Sequence, residues 1–330
     1  MFSFTLRRHG GTTIGDSGLD SGRAPLRPAG SAIAVAVIAA AVIATAPVDA
    51  SAATECFGKK ATITSNAKKV EGTPKADVIV GGSKAQKIVA GGGKDRVCAA
   101  GGKDDVRAGG SRDLLDGDKG DDRLRGGPGT DLITGNRGDD EIRGGGNPGD
   151  RPDELTGGSG DDRIEGDGGT DLLSDGPGSD TVDGGNGDDR LRPQDDRTPD
   201  AFIGSAQTDT IDYGYGGDAD SWFSDGVTVT LDANENDGVN CPQQCEGDNV
   251  FPSIENVIGS YGPDTISGSD KSNVLEGDDG ADVISGLGGG DILRGGWGDD
   301  ALDGGADLDE CFGDEDNDTA ANCESVVAVP

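Results

Sequence analysis

A nine-residue phrase recurs along most of this chain. Residues 126–134 read "GGPGTDLIT", and the next nine, "GNRGDDEIR", keep the same order of residue types. No helical period of 3.6 residues competes with this spacing, so the period of nine predicts a stack of short repeated units. Regular units begin at residues 72, 81, 90, 99, 108, 117, 126 and 135, then at 157, 166, 175 and 184 after a longer unit at 144–156, and finally at 259, 268, 277, 286, 295 and 304, with a worn copy from 313.

Each unit favours glycine at positions one, two and four, aspartate at position six, and one apolar residue at position eight. Glycine allows positive φ angles, and the last three residues can form a short strand with a single inward side chain. Stacked strands lie roughly 4.8 Å apart, so the aspartates of stacked turns must also approach one another. A divalent cation resolves their repulsion, and Ca2+ with its flexible oxygen coordination suits the site better than Mg2+.

The composition of the chain also indicates that it needs cations as partners. Only 32% of the chain is hydrophobic and 4% aromatic, against a net charge of −35, which in the absence of a neutralising partner is typical of a disordered chain. Such a surface repels phosphates, so we expect cations and no nucleic acid as partners. The one histidine, His9, lies near the N-terminus, which leaves the repeats without an imidazole for zinc or for general base catalysis.

The units resemble the hemolysin-type, or RTX, nonapeptide G-G-x-G-x-D-x-U-x. The resemblance implies an all-β fold, a parallel β-roll or β-solenoid with two nonapeptides per turn, in which multiple Ca2+ ions lie between a loop and the loop two units later. Carried onto this chain, it makes the position-six aspartates of the regular units, together with Asp153 in the longer unit, the expected metal ligands: Asp95, Asp104, Asp113, Asp122, Asp131, Asp140, Asp153, Asp162, Asp171, Asp180, Asp189, Asp264, Asp282, Asp291, Asp300 and Asp309.

The same resemblance predicts which units meet. It pairs Asp95 with Asp113, Asp104 with Asp122, Asp113 with Asp131, Asp122 with Asp140, Asp162 with Asp180, Asp171 with Asp189, Asp264 with Asp282, Asp282 with Asp300, and Asp291 with Asp309. The expected inward residues are Val97, Val106, Leu115, Leu124, Ile133, Ile142, Ile164, Leu173, Val182, Leu191, Ile266, Leu275, Ile284, Leu293 and Leu302.

Some units depart from the motif. Gln86 and Asn273 stand where aspartate belongs, and the first three units carry lysines near their loops, namely Lys75, Lys84, Lys87 and Lys94. We therefore expect weaker or absent metal binding at the first end of the array.

Six cysteines, an even number, favour three disulfides if the chain is exported, and sequence alone leaves 15 pairings open. We expect Cys56 with Cys98, Cys241 with Cys245, and Cys311 with Cys323, because each pair is close in sequence or brackets an end of the array. The alternative, half of a zinc site at "CPQQC", lacks a second ligand pair.

The acidic tail, "DEDNDTAANCES", begins with alternating acids like an EF-hand loop. It has Thr319 where the sharp turn needs glycine and Ser325 where the bidentate glutamate belongs, so it fails that pattern. We interpret the tail as the disulfide-closed end of the roll, which protects an edge that could otherwise template pairing.

The amino terminus resembles an export signal. Arg7, Arg8, Arg23 and Arg27 precede the apolar stretch "SAIAVAVIAAAVIATA", and "VDASAA" offers cleavage after Ala50 or Ala52. The alternative is an uncleaved anchor, since no charge interrupts residues 28–48.

Residues 213–258 interrupt the period and contain five of the twelve aromatic residues, Tyr213, Tyr215, Trp222, Phe223 and Phe251. They form either a hairpin-like insertion that packs on the roll or a recognition site for a cell-surface glycan or protein, because exposed aromatics can stack on sugars. The predicted organisation is a signal peptide at 1–50, an N-terminal cap at 51–71, a first repeat block at 72–212, the insertion with its Cys241/Cys245 loop, a second block at 259–318 and a tail at 319–330.

The leading functional prediction is a secreted, non-enzymatic calcium-binding protein, either released outside the cell or retained at its surface. Alternatives are an adhesion or matrix protein that uses the roll as a calcium-stiffened spacer, and, more remotely, a polysaccharide-acting enzyme. The chain has no H-E-x-x-H and no G-x-S-x-G motif, and the acids are too numerous to mark a glycosidase pair. Oligomeric state is left open.

Overall fold

The computed structural model describes residues 54–146, 151–194, 196–214, 226–234, 236–239 and 247–327. They belong to one compact unit, Asp49–Pro330. Strands and turns make up these residues, without a helix, and consequently without a helix able to cross a membrane. The expected signal peptide, the Cys241/Cys245 loop, and Tyr215, Trp222 and Phe223 lie outside the described residues.

Short strands alternate with turns along the described chain. Those before the insertion are β1 (Glu55–Cys56), β2 (Lys59–Lys60), β3 (Ile63–Thr64), β4 (Lys69–Glu71), β5 (Val78–Val80), β6 (Lys87–Gly92), β7 (Arg96–Cys98), β8 (Asp105–Gly110), β9 (Leu114–Lys119), β10 (Arg123–Arg125), β11 (Leu132–Arg137), β12 (Glu141–Gly145), β13 (Glu154–Ser159), β14 (Arg163–Asp167), β15 (Leu172–Ser174), β16 (Thr181–Asn186), β17 (Arg190–Arg192), β18 (Ala201–Ala206) and β19 (Thr210–Asp212). Those that follow are β20 (Val227–Thr230), β21 (Gly238–Val239), β22 (Asn249–Val250), β23 (Asn256–Ile258), β24 (Thr265–Ser267), β25 (Val274–Asp279), β26 (Val283–Ser285), β27 (Ile292–Trp297), β28 (Ala301–Asp303), β29 (Glu310–Glu315), β30 (Thr319–Ala321) and β31 (Ser325–Val327).

These strands form the two walls of a parallel β-solenoid. One wall is a 14-stranded sheet in the order β3-β5-β7-β9-β11-β13-β15-β17-β19-β23-β25-β27-β29-β31. The other wall consists of a nine-stranded sheet, β22-β18-β16-β14-β12-β10-β8-β6-β4, and a six-stranded sheet, β21-β20-β24-β26-β28-β30. Because each unit alternates between walls, a strand pairs with the strand two units away, and the predicted all-β roll is confirmed.

Residues that pair in neighbouring strands are separated along the chain by twice the repeat length. Leu124 aligns with Val106 on one side and Ile142 on the other, each 18 residues away. At the longer unit the spacing grows, and Ile142 aligns with Ile164. The longer unit therefore keeps the register of the inward residues, and the alternation of inward and outward side chains in the described strands is unchanged.

Inward residues form one continuous core. All the residues predicted to point inward are buried, most of them with no exposed surface, and they belong to a single apolar cluster. Each turn contributes only one or two of them, and a fully buried aliphatic side chain stabilises by about 1.5–3 kcal/mol. The core is thin, so the stability of the roll depends on its turns as well.

The described parts of residues 213–258 supply strands to the roll. β20 pairs antiparallel with β21, a hairpin, and parallel with β24, so it begins the six-stranded sheet. β22 and β23 continue the walls, with Val250 opposite Phe202 and Val257 opposite Ile211. Tyr213 is buried. The described part of this segment thus splices the two repeat blocks into one ladder.

Disulfides close both ends, as predicted for two of the three pairs. Cys56 bonds to Cys98 and holds the antiparallel β1–β2 pair against the first turns. Cys311 bonds to Cys323 in the last turns. The acidic tail forms a turn and strand β30 rather than a helix–loop–helix, in agreement with its failure to match an EF-hand.

Candidate metal centre

The position-six aspartates form two parallel rows of hydrogen-bonded carboxylates. The backbone N–H of Asp104 donates to Oδ1 of Asp122 at 2.7 Å, and that of Asp122 donates to Oδ1 of Asp140 at 2.6 Å. Each of the nine pairs expected from the sequence is linked in this way, by bonds of 2.6–2.8 Å. One carboxylate oxygen of every linked residue is therefore fixed by the preceding turn.

The rows continue across the long unit. Asp131 N–H donates to Oδ1 of Asp153, and Asp153 N–H donates to Oδ1 of Asp171, each at 2.7 Å. The other row passes from Asp140 to Asp162 at 2.7 Å. Asp153, the tenth residue of the longer unit, thus takes the place of a position-six aspartate between Asp131 and Asp171.

The second carboxylate oxygen has no such partner. Oδ2 is buried without a hydrogen bond in Asp95, Asp104, Asp113, Asp122, Asp140, Asp162, Asp171, Asp180, Asp189, Asp209, Asp282, Asp291, Asp300, Asp309 and Asp318. Burying a charged oxygen unpaired is costly. A ligand that supplies positive charge to this row would remove that cost.

The pKa values of these aspartates are raised by the same unfavourable burial. Burial, reinforced by neighbouring carboxylates, raises the pKa of Asp162 and of Asp171 to about 8. It raises the pKa of Asp122 to about 7 and of Asp104 to about 6, against an ordinary value of 3.8. Without a cation, the rows therefore favour protonated carboxyl groups, as expected for sites that need positive charge to stay ionised.

Backbone carbonyls converge on the same oxygens. A Cβ placed on Gly117, at position one of its unit, would lie 2.7 Å from Oδ2 of Asp122 and 2.7 Å from the carbonyl oxygen of Gly135. A Cβ on Gly157 would meet Oδ2 of Asp162 and the carbonyl oxygen of Asp175 in the same way. In these two turns a side chain at position one would enter the space between the two oxygens, whereas the turns that begin at 90, 99 and 108 carry alanine at this position.

Positive φ angles turn the loop N–H groups away from the carboxylate. The residue at position two adopts φ of 126° in Gly109 and 103° in Gly127, and its N–H donates to the carbonyl at position one of the next unit on that side. Asp118 and Asn136 take the left-handed conformation as well, at 69° and 78°. Because these backbone N–H groups point away, the space beside Oδ2 is lined by carbonyl and carboxylate oxygens.

Four turns are built differently, those beginning at residues 72, 81, 259 and 268. Their second residues lack a positive φ, and the N–H points at the position-six side chain of the same turn. In the third of these turns Ser260 N–H donates to Oδ2 of Asp264 at 2.7 Å, while Oδ1 accepts from Ser260 Oγ and from Val227 N–H. Both oxygens of Asp264 are thus hydrogen-bonded, in contrast to the expected ligands whose Oδ2 is unpartnered.

The two amide substitutions fall in these turns. Gln86 Oε1 accepts from Gly82 N–H at 2.7 Å, and Asn273 Oδ1 accepts from Ser269 N–H at 2.8 Å. The Asn273 amide also donates to the carbonyl oxygen of Glu255 at 2.8 Å. A neutral amide supplies here both the acceptor and the donor that the turn requires, so nothing is left unpaired.

Asp209 and Asp318 are members of the rows that were missed from the sequence, as is Asp200, whose Oδ1 accepts from Asp180 N–H at 2.7 Å. Asp209 accepts from Asp189 N–H at 2.9 Å, and Asp318 accepts from Asp300 N–H at 3.0 Å; in both, Oδ2 is unpartnered. Asp209 and Asp318 are each the sixth residue of their unit, so counting position six through the imperfect copies at 204 and 313 would have found these two.

The oxygen set fits a hard cation. Within the described residues no three acidic, histidine or cysteine side chains converge on a point. Any ion between turns must consequently take backbone carbonyls as well as Oδ2 atoms, which is the mixed oxygen coordination that Ca2+ accepts. The sixteen ligand assignments made from the sequence stay predictions, and the hydrogen-bonded turn of Asp264 makes that residue the weakest among them.

Comparison with known families gives an independent result. The model of the RTX calcium-binding nonapeptide repeat matches residues 71–106, 99–133, 125–147, 149–174, 156–191, 258–293 and 285–320, more than half of the chain in total. The stretches left unmatched in the middle include the described strands β20 to β22. No curated protein matches the chain.

Proposed function

Because the chain belongs to the RTX calcium-binding nonapeptide repeat family, whose repeats bind calcium ions, we propose that it is a secreted, non-catalytic β-roll that folds on binding calcium. The observation that carries the proposal is the row of buried, unpartnered Oδ2 atoms. Calcium would neutralise those carboxylates and tie each turn to the next. The residues that would hold it are the position-six aspartates of the turns with left-handed loops, together with position-one carbonyls.

Coupling between folding and metal follows from the thin core. One or two buried aliphatic side chains per turn cannot offset both the chain entropy and the repulsion in a protein of net charge −35. Ligand binding to the folded state alone shifts the equilibrium toward it. The calcium-free chain is therefore expected to be expanded and the calcium-bound chain compact.

Secretion is supported by two observations. Two disulfides close the ends of the roll, and stable disulfides are typical of oxidising compartments. The chain also begins with a basic and apolar stretch of the export-signal type. Outside cells, calcium reaches the millimolar range in which extracellular modules operate.

A calcium titration tests the proposal. Far-ultraviolet circular dichroism and hydrodynamic radius are recorded from a chelated start, with Mg2+ as the control ion and with disulfides intact. A cooperative gain of β signal with compaction, specific to Ca2+, is the expected result. A protein already folded in chelator and indifferent to calcium would contradict it and would leave a metal-free solenoid.

An adhesive role is the second candidate, favoured by two exposed aromatic residues in the second block. Tyr261 and Trp297 are 46% and 55% exposed, and each occupies the third position of a turn on the same edge of the roll. Such side chains stack on sugars or anchor proteins. A Trp297→Ala protein that folds with calcium but attaches to cells as well as the parent would count against this role, as would unchanged attachment after substitution of Trp222 in the insertion.

A further inference from the structure

Charge is distributed very unevenly along the roll. Residues 54–119 carry ten lysines and three arginines against nine acidic residues, a net charge of +4. Residues 120–330 carry eleven basic and 51 acidic residues, a net charge of −40. The first turns are therefore a basic end on an otherwise strongly acidic molecule.

The cations of this end line up along the turns. On one edge, Lys75, Lys94 and Arg112 occupy the fourth or fifth positions of turns that begin at 72, 90 and 108. A Cβ on Gly93 would lie 2.6 Å from the carbonyl carbon of Lys75, and Gly91 pairs with Gly109, so these three turns stack directly. We call this row the first cationic edge.

The opposite edge repeats the arrangement. Lys84, Lys103 and Lys119 lie in turns that begin at 81, 99 and 117, and Gly102 N–H donates to the carbonyl oxygen of Lys119 at 2.9 Å. We call this row the second cationic edge. Successive turns place one cation roughly every 4.8 Å along each edge.

Most of these charges are not neutralised. Lys75, Lys84, Lys94, Arg112 and Lys119 are exposed, and their charged groups form no ion pair or hydrogen bond with any described residue. Lys103 contacts Asp121 at 3.6 Å. In a chain with such an excess of carboxylates, unpaired cations on stacked turns indicate a surface kept open for an external anion.

The second cationic edge ends where an acidic row begins. At the fifth position of the turns that follow Lys103 stand Asp121, Asp139 and Asp161. The first turns also include the two hydrogen-bonded ones at 72 and 81, which offer no unpartnered carboxylate oxygen for a cation. The net positive charge of the basic end is carried by lysine and arginine side chains, so it does not depend on calcium.

We propose that the two cationic edges bind a linear acidic polysaccharide, one that carries a carboxylate or sulfate on successive sugars. A regular line of long, flexible cations on a rigid scaffold matches a polymer with repeated anions, and neutralising several of them supplies the affinity. Single-stranded nucleic acid fits less well, because Phe57 is the one aromatic residue in 54–119 and bases would find no stacking platform. A flat anionic membrane would also meet the acidic rows beside these edges.

The test uses the full chain in about 2 mM calcium, where extracellular modules are loaded. Fluorescein-labelled heparin is the probe, and its binding is followed by anisotropy, with neutral dextran as the negative control. One variant combines Lys75→Gln, Lys94→Gln and Arg112→Gln, and the other combines Lys84→Gln, Lys103→Gln and Lys119→Gln. We expect each triple variant to weaken heparin binding at least tenfold.

Control variants separate binding at the cationic edges from binding elsewhere on the roll. Lys271→Gln removes an exposed cation from the fourth position of a turn in the second repeat block and should leave affinity unchanged, and arginine in place of the five lysines should retain binding. Circular dichroism in calcium verifies that each variant folds, so a failure of calcium-coupled folding is detected separately. Unchanged heparin affinity in both folded triple variants, as expected if calcium bridged the polymer to the aspartate rows, would overturn the proposal.

Discussion

At the scale of single residues, the two oxygens of each position-six aspartate have separate roles. Oδ1 of Asp122 accepts a backbone hydrogen bond that fixes the preceding turn, and Oδ2 is left buried beside carbonyl oxygens. Aspartate is suited to both because its short side chain holds two acceptors close to the backbone. In the turn of Ser260, by contrast, both carboxylate oxygens of Asp264 accept hydrogen bonds.

This difference predicts unequal effects of one substitution. Asp122→Asn keeps an acceptor for the Asp104 N–H but removes the charge, so we expect it to weaken calcium binding at its site at least tenfold, about 1.4 kcal/mol. Asp264→Asn should change calcium stoichiometry little. Isothermal titration calorimetry measures both. Equal loss of calcium in the two variants would show that the hydrogen-bonded turn binds metal after all.

The raised pKa values predict opposite responses to pH with and without calcium. A carboxyl whose pKa is raised by folding favours the folded state below its unfolded pKa of 3.8, and this contribution is lost as pH rises through the folded value, about 7 for Asp122 and about 8 for Asp162. In chelator the β signal should therefore be stronger at pH 5 than at pH 8.

With saturating calcium the order should reverse, because the metal binds ionised carboxylates and protons compete with it. Thermal unfolding followed by circular dichroism at both pH values, with and without chelator, gives the comparison. A chelated protein that gains structure as pH rises would contradict protonation of the aspartate rows in the absence of calcium.

At the scale of elements, the turn is the unit that specifies function and the strand is the unit that specifies stacking. Strands contribute one inward aliphatic residue each and would stack with any similar strand. Turns come in two conformations, which are distinguished by the φ angle at position two and by the direction of its N–H. The second conformation occurs at the start of each repeat block, so each block begins on turns that are satisfied without a cation.

A pair of glycine-to-alanine variants tests the crowding at position one of the turn. The Cβ of Gly117→Ala would lie 2.7 Å from both Asp122 Oδ2 and the Gly135 carbonyl oxygen, so overpacking should cost about 1 kcal/mol, the low end of the usual range, because the turns that begin at 90, 99 and 108 accommodate alanine at this position. Gly110→Ala is the matched control, since its nearest neighbour, the Pro128 carbonyl oxygen, is 3.8 Å away and its φ is not positive. Chemical denaturation in calcium should separate the two variants, and equal stability would refute this crowding.

At the scale of the whole molecule, the roll is a linear stack closed at both ends. Each turn contacts its neighbours in the ladder, so stability is roughly a sum of local terms, and an end that frays exposes strand edges. The Cys56–Cys98 and Cys311–Cys323 bonds fasten the two ends. β23 carries the 14-stranded wall across the insertion, between β19 and β25, while the other wall passes from the nine-stranded sheet, which ends at β22, to the six-stranded sheet.

Removal of one of the terminal disulfides should therefore destabilise only the strands near it. In Cys311→Ala/Cys323→Ala, we expect faster amide hydrogen exchange in β30 and β31 and unchanged exchange in β10 and β12, because coupling in a solenoid is between neighbours. Mass spectrometry of exchange in calcium resolves the two regions. Uniform loss of protection along the chain would indicate a roll that unfolds as one cooperative unit.

The sequence by itself determined the period and the identity of the inward and turn residues; with the family resemblance it also predicted the position-six rows, and two of the three expected disulfide pairs are present. It could do so because identical units must stack identically, and a period of nine leaves one phase in which the apolar residue at position eight points inward in each regular unit. It did not reveal which turns are closed by their own N–H, because that depends on a backbone φ that Gly82 and Gly109 are equally free to adopt. It also did not reveal that β20, β22 and β23 complete the walls. Their partners, such as Phe202 for Val250, lie 48 residues away and outside the repeat, so only tertiary structure brings them together.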